Sequence, residues 1–334
     1  MKNAFVVICC LMLLACQHRE RSISFYYWRT SFQLDSVEEH ALKDNAVKKL
    51  YVRYFDVDFL PGAAAPEPVS PITFNNNARD YVIIPVVYIK NRVFEKLDSP
   101  GIKQTAANIN HLVSRINATQ GRDPGEIQFD CDWTEKTKDS YFSFIQQYRE
   151  ISKQNISATI RLHQIKYPER TGIPPVDYGV LMYYNMGTVD AGPQSSIYEK
   201  SIADKYIGSV SSYPLTLDAA LPIFSWGLAI RDGKVVQLLN KIYFTHFEND
   251  SNFIAVKQHW YRTRHACFKA GYYFAENDIV KIENIPAETL MDMAGELDRK
   301  AGNKIRDFLF YDLDSANLVQ YEKSIFKKVL DRAR

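Results

Sequence analysis

Glu126-Ile127-Gln128-Phe129-Asp130-Cys131-Asp132-Trp133 is the stretch on which the fold turns. It alternates strictly, and side chains along a strand point to opposite faces. Ile127, Phe129, Cys131 and Trp133 share one face, and Gln128, Asp130, Asp132 and Thr134 share the other. The apolar row predicts packing against helices, which turns both aspartates to the opposite side. Ser157 to Gln164 repeats the arrangement, with Ala158, Ile160 and Leu162 on one face and Thr159, Arg161 and His163 on the other. Neighbouring strands that bury Asp, Asp, Arg and His must pair those charges or use them in chemistry.

Working outward, six further strands are expected at Ile23 to Arg29, Leu50 to Phe59, Tyr81 to Lys90, Val176 to Asn185, about Ala220 to Trp226, and Arg306 to Asp312. Helical patterns lie between several of them. Ser36 with Glu39 reads as a capping box opening a helix to about Lys49. Others are expected over about Lys103 to Asn117, up to about Lys153 with Tyr141, Phe142, Phe144, Ile145 and Tyr148 at helical spacing, over about Ser195 to Val210, and from Ala316 onward. Leu60 to about Arg79 is a Pro- and Ala-rich loop. Strands alternating with helices predict the α/β class with a parallel sheet, and eight of them predict a (β/α)8 TIM-like barrel. The excess length falls at about 227–286, rich in aromatic and β-branched residues, and is expected to be a strand-rich insertion after the seventh strand. The barrel with its insertion would then occupy 23–334.

The active face of such barrels is the C-terminal end of the strands. Asp56 and Asp58 close the second strand, and Asp312 and Asp314 the eighth. Paired carboxylates there suit glycoside hydrolysis. Asp130 and Arg161 also admit a purely structural ion pair, Asp314 a turn before the last helix, and Thr134 a helix cap. Trp28 and Trp226, at the ends of the first and seventh strands, stack on sugar rings or belong to the core. Cys131 lies on the apolar face and reads as a core residue. His259 and His265 have no metal-ligand spacing, so neither a metal nor a cofactor is expected.

The chain opens with an apolar run from Ala4 to Ala15 after Lys2. This fits the h-region of a signal peptide and is too short to span a bilayer. Its end, Leu13-Leu14-Ala15-Cys16, resembles the lipobox of bacterial lipoproteins. That resemblance implies cleavage after residue 15, lipidation of Cys16, a tether over 16–22 and a membrane partner through the lipid anchor. The implied location is the cell envelope, with the outer membrane of a Gram-negative bacterium favoured because Gln17 rather than Asp follows Cys16. A formal charge of +2 gives no reason to expect a nucleic-acid partner. Apart from Cys16, Cys131 and Cys267 are the only thiols past the cleavage point, so no disulfide framework is implied. A near-neutral exported chain with 21 Tyr and 19 Phe is of the kind that handles glycans. Nothing in it sets an oligomeric state.

Phe129-Asp130-Cys131-Asp132-Trp133 resembles the end of the fourth-strand motif of family 18 glycoside hydrolases, Asp-x-x-Asp-x-Asp-x-Glu. Met182-Tyr183-Tyr184-Asn185 resembles their sixth-strand Met-x-Tyr-Asp/Asn motif. The resemblance covers about Glu126 to Trp226 and extends to a group of bacterial chitinase-like barrel lipoproteins, membership of which implies a fold and no activity. It implies that Asp130, Asp132 and Tyr184 form the reactive end of a glycan cleft. Trp28, Asp56, Arg161, His163, Met182, Asn185, Trp226 and Asp312 are the candidates for contacting the sugar around them. Two departures stand out. Ile127 occupies the first Asp position, and Thr134 the position of the proton-donating Glu, while Glu135 is turned to the other face by one residue. Family 18 chitinase activity is therefore not expected. The readings left open are a glycosidase of altered mechanism acting on an oligosaccharide, a non-catalytic glycan-binding protein, and an envelope scaffold.

Overall fold

The computed structural model describes residues 21–75 and 79–333. The signal peptide, Cys16 and the tether up to residue 20 lie outside the described residues.

Seven strands arrive in order: β1 (Ile23–Tyr27), β2 (Lys49–Asp58), β3 (Val82–Ile89), β4 (Glu126–Asp130), β5 (Asn155–Arg161), β6 (Tyr178–Met182) and β7 (Leu217–Pro222). The chain then leaves the barrel through β8 (Trp226–Arg231), β9 (Lys234–Asn240), β10 (Phe253–Lys257), β11 (Trp260–Thr263), β12 (Cys267–Lys269), β13 (Tyr272–Phe274) and β14 (Ile279–Glu283). It returns as β15 (Ile305–Tyr311). β1 pairs in parallel with β15 on one side, Ser24 beside Leu309, and with β2 on the other, Phe25 beside Leu50. Every other neighbour in the ring is parallel too, so β1 to β7 and β15 close into the eight-stranded barrel that the alternation of elements predicts. A short strand, Glu67–Val69, folds back antiparallel on the end of β2.

The helices cover the outside. α2 (Ser99–Thr119) buries Ile102, Ala106, Ile109 and Val113, a stripe at helical spacing, and starts at Asp98, whose carboxylate accepts the Gly101 N–H. α3 (Lys138–Ser152) lays Phe144 and Tyr148 edge-on against Phe129 of β4, both 4.9 Å from it. This is the contact that the apolar row of β4 requires.

Four expectations are corrected. α1 (Ser36–Asp44) is capped one residue earlier than predicted: Asp35 accepts from Val37 and Glu38, and Glu38 returns to the Asp35 N–H. Glu38, not Glu39, turns inward because Arg29 meets it at 2.8 Å. The helix expected over Ser195 to Val210 shrinks to Lys200–Ala203 and a single 3-10 turn, Ile207–Ser209. Its intended start is diverted because the Ser196 N–H donates to Glu283. The helix expected from Ala316 divides into Ser315–Leu318 and α5 (Ile325–Arg332). A helix absent from the sequence reading, α4 (Ala287–Ala301), packs Leu290, Met293, Ala294 and Leu297 inward before β15.

The barrel interior is filled, not hollow. Near the N-terminal ends, the Tyr51 and Tyr178 hydroxyls meet at 2.7 Å, Tyr178 donates to Glu126, and Arg306 forks onto Asp218 at 3.0 Å. One layer higher, the Tyr26 hydroxyl crosses to Gln128 at 2.7 Å, and Gln128 donates to Ser157 at 3.3 Å. The insertion sheet, ordered β9-β8-β14-β11-β10, has its own small core around Phe247, Phe253, Phe274 and Val280.

Candidate functional site

Above these layers, at the C-terminal ends of the strands, the interior becomes charged. Asp130 is the last residue of β4, buried, and accepts a hydrogen bond from the Thr159 hydroxyl at 2.6 Å. Burial pushes its carboxyl up to about 6 against the pull of Arg161, with Asp132 adding to the rise. Asp132 stands just above it, with its side chain 46% exposed, and takes Arg161 Nε at 2.5 Å. Arg161 is the last residue of β5.

Tyr184, two residues beyond β6, completes the group. Its ring stacks on Tyr311 at 5.5 Å and 25°, and meets Phe224 edge-on at 5.8 Å. Its hydroxyl is buried and finds no protein partner among the described residues. Burial holds that hydroxyl well above the usual phenol range, and Arg161, Asp130, Asp312 and Asp132 all act on it electrostatically. Asp130, Asp132, Arg161 and Tyr184 are therefore brought together.

His163 is not. β5 ends at Arg161, and the chain turns into a short helix, Leu162–Lys166, on which His163 is exposed. The turn is made by Gln164, which accepts the Arg161 N–H at 2.8 Å and donates to the Trp133 carbonyl at 3.1 Å. The inward position expected for His163 on a longer strand is corrected accordingly.

Around the mouth, Trp28 lies just past β1, half-buried, against Tyr311 at 5.5 Å. Asp56 on β2 accepts Arg53 Nε at 2.8 Å. Asp58 faces a different environment: Lys90 at 2.6 Å and Arg92 clamp it, and Arg92 above all holds it well below the usual carboxylate range. Met182 ends β6 and is buried, whereas Asn185 is exposed in the left-handed region at φ 52°. Asp312 follows β15 and accepts Asn317 Nδ2 at 2.6 Å. Burial first, and then Asp314, raises it to about 6. Asp314 itself caps the helix Ser315–Leu318 and pairs with Lys241 at 2.5 Å, which is the turn role considered for it. Trp226 opens β8, half-buried, and donates its indole N–H to Glu283 at 2.9 Å.

Thr134 is exposed, and its hydroxyl lies 3.3 Å from that of Thr137. The helix begins only at Lys138 with Thr137 as N-cap, so the capping role considered for Thr134 is not the one it has. Glu135 is exposed and paired with Arg170 at 3.1 Å. Cys131 is buried on the helix side. Among the described residues, no group of three His, Cys, Asp or Glu side chains is placed to hold a metal ion.

The sequence reading missed Tyr26, Tyr311, Phe224 and Glu283. Tyr311 had a usable signal, because it continues the inward row of β15 two residues past Leu309. Glu283 had none, since its partners Ser196 and Trp226 are 87 and 57 residues away.

No family profile matches the chain, and no curated protein matches it in sequence. Solved structures match it in fold. The spore cortex-lytic enzyme SleL of Bacillus cereus superposes with a TM-score of 0.53 at 13% identity, over 94% of this chain and 74% of that one. A chitinase from Chromobacterium violaceum gives 0.53 at 10% identity, over 93% of this chain and 99% of its own. Human YKL-39, described as a pseudo-chitinase with retained chitooligosaccharide binding properties, gives 0.50 at 9% identity, over 93% and 99%. The chain has the chitinase-like TIM-barrel fold; at these identities the likeness is one of fold.

Proposed function

We propose that this protein is a cell-envelope lipoprotein that binds a glycan at the C-terminal mouth of its barrel and does not hydrolyse it by the family 18 route. The observation that carries the reading is the buried Tyr184 hydroxyl, without a partner among the described residues and within electrostatic reach of Arg161, Asp130 and Asp132. Leaving a buried hydroxyl unpaired costs about 1–3 kcal/mol, a cost that a ligand hydroxyl or amide can relieve. Trp28, Tyr311 and Phe224 supply apolar faces around it, and sugar sites combine such faces with a few fixed polar groups. Retained chitooligosaccharide binding in a pseudo-chitinase of the same fold supports the reading. The missing hydrolysis follows from Thr134: a hydroxyl does not protonate a leaving alkoxide at neutral pH.

A second reading has one observation in its favour. Asp130 and Asp312, each raised to about 6, could hold a proton at mildly acidic pH and serve a hydrolysis of altered mechanism. Calorimetric titration with N-acetylglucosamine oligosaccharides, run beside a reducing-end assay, separates the two. Binding without product supports the first; product lost on Asp312→Asn supports the second; neither binding nor product overturns both. The envelope placement rests on the Leu13-Leu14-Ala15-Cys16 sequence.

A further inference from the structure

Between β11 and β14 the insertion folds into a hairpin of its own. β12 and β13 pair antiparallel, with Cys267 opposite Phe274 and Phe268 opposite Tyr273. Side chains alternate across it. On the inner side, Phe274 is buried against Phe253 at 5.4 Å and Phe247 at 6.2 Å. On the outer side, Phe268 is 80% exposed and Tyr273 48%, and their rings meet at 5.2 Å.

The two rings are held in place. The turn between the strands has positive φ at both central residues, 50° at Ala270 and 75° at Gly271, which matches the twist of the strands it joins. Lys269 Nζ ties the hairpin to Asp250 at 2.9 Å. A fixed, adjacent pair of exposed rings calls for a partner, as scattered single ones do not.

Size and charge say which. Two aromatic side chains cover about 300–500 Å², well under the roughly 800 Å² per side of a stable protein interface. A bilayer interface needs no such area, and takes aromatic rings at headgroup level beside cations. Over 257–277 the chain carries Lys257, Arg262, Arg264 and Lys269 against a single carboxylate, Glu276. Arg262 and Arg264 are exposed. That excess complements anionic headgroups.

The root of the N-terminal tether can reach the same surface. α4 leads away from the end of the insertion for 15 residues, about 22 Å. Near its far end Asp298 takes Arg21 at 2.6 Å, and Arg21 also donates to the Ala333 carbonyl. Cys16 precedes Arg21 by a stretch that spans at most about 18 Å. Arg299 and Lys300 are exposed at that end of α4.

We infer that the Phe268–Tyr273 hairpin enters a bilayer interface carrying anionic lipid, as a second membrane contact beside the acylated Cys16. With anchor root and insertion at the two ends of α4, the barrel lies along the membrane and its mouth opens parallel to the lipid surface. The inference rests on the lipoprotein reading, and the test keeps the two apart.

Reconstitute the mature acylated protein in vesicles of phosphatidylethanolamine with phosphatidylglycerol. The probe is Phe268→Trp, read as emission added to that of the parent's 4 tryptophans. Lipids brominated near the headgroup end of their acyl chains should quench the added emission about twofold, and lipids brominated at the chain end should not. A chain starting at Gln17 keeps every described residue and gives the unacylated comparison. It should bind the same vesicles weakly and phosphatidylcholine vesicles less, a difference that raised salt erases. Phe268→Ser with Tyr273→Ser should weaken that binding about tenfold. Arg262→Glu with Arg264→Glu should remove the preference for phosphatidylglycerol. All four residues are exposed, so the changes spare the fold. No quenching of the added emission in either form overturns the hairpin contact. So do serine changes that alter self-association and not vesicle binding, which would make the hairpin a contact between copies. Hairpin-dependent binding of the Gln17 chain, with Cys16 unmodified in the full chain, overturns the anchor and leaves the hairpin.

Discussion

The ring of Tyr184 lies on that of Tyr311, 5.5 Å away with 25° between their planes, while its hydroxyl has no protein partner among the described residues. The ring is secured by stacking and the oxygen by none of the described residues, so the two can be tested apart. Tyr184→Phe keeps the stack and removes the orphan oxygen. We expect the melting temperature to hold or rise, by up to about 1 kcal/mol of added stability, while affinity for an N-acetylglucosamine trimer falls. A variant both less stable and equally avid would show that the oxygen serves the fold.

Asp130 sets a pH dependence whose sign follows from burial. Its folded carboxyl titrates at about 6, above the ordinary value of 3.8. Between those values the native state holds a proton that the unfolded chain has released, so this group lowers stability as pH rises from about 4 to about 6. Asp130→Asn removes the effect. Denaturant unfolding should show the variant gaining on the parent by roughly 1–3 kcal/mol at pH 8 and matching it at pH 4. Loss of stability at both pH values would mean that the Thr159 and Arg161 contacts outweigh burial.

Thr134→Ala should leave hydrolysis of an N-acetylglucosamine aryl glycoside where the parent has it, near background. A general acid is typically worth about 10² to 10⁴ in rate, so a working Thr134 could not be lost silently. Robust turnover abolished by Asp132→Ala but untouched by Thr134→Ala would place the acid elsewhere. Thr134→Glu is the informative companion, with Ile127 as the remaining departure.

Asp58 offers a contrast with Asp132. Lys90 and Arg92 hold it as a carboxylate, and both partners are partly exposed, so screening limits the pair to about 1 kcal/mol. Asp58→Asn should cost about that much stability at neutral pH, less as acid protonates the parent, and leave trimer affinity intact.

Lipidation is tested on the whole chain. Expressed in a bacterium, the protein should partition into detergent, and Cys16→Ser should abolish the acyl mass. An intact-mass spectrum showing unmodified Cys16 in the mature chain would sink the anchoring proposal.

Much of the barrel could be read from strand parity. The rows through β4 and β5 separated helix-facing Phe129 from inward Asp130, because a strand buried under helices must alternate where its other side is polar. What could not be read depended on partners distant in sequence. Gln164 ends β5 by reaching the Trp133 carbonyl, so His163 leaves the barrel although its parity was right. Ser196 is drawn away from a helix start by Glu283. Tyr26 looks like a core aromatic until its hydroxyl is seen to cross the barrel to Gln128.

That crossing has a further consequence. With Tyr26, Gln128 and Ser157 spanning the interior, and Tyr51 and Tyr178 beneath them, the barrel has a floor. Nothing can thread its axis, so a polymer can only lie over the mouth, entering and leaving sideways. Engagement of that kind needs no free chain end. The protein should grip a circular or end-blocked glycan as well as a linear one, and could seize the middle of a strand already woven into a cross-linked wall.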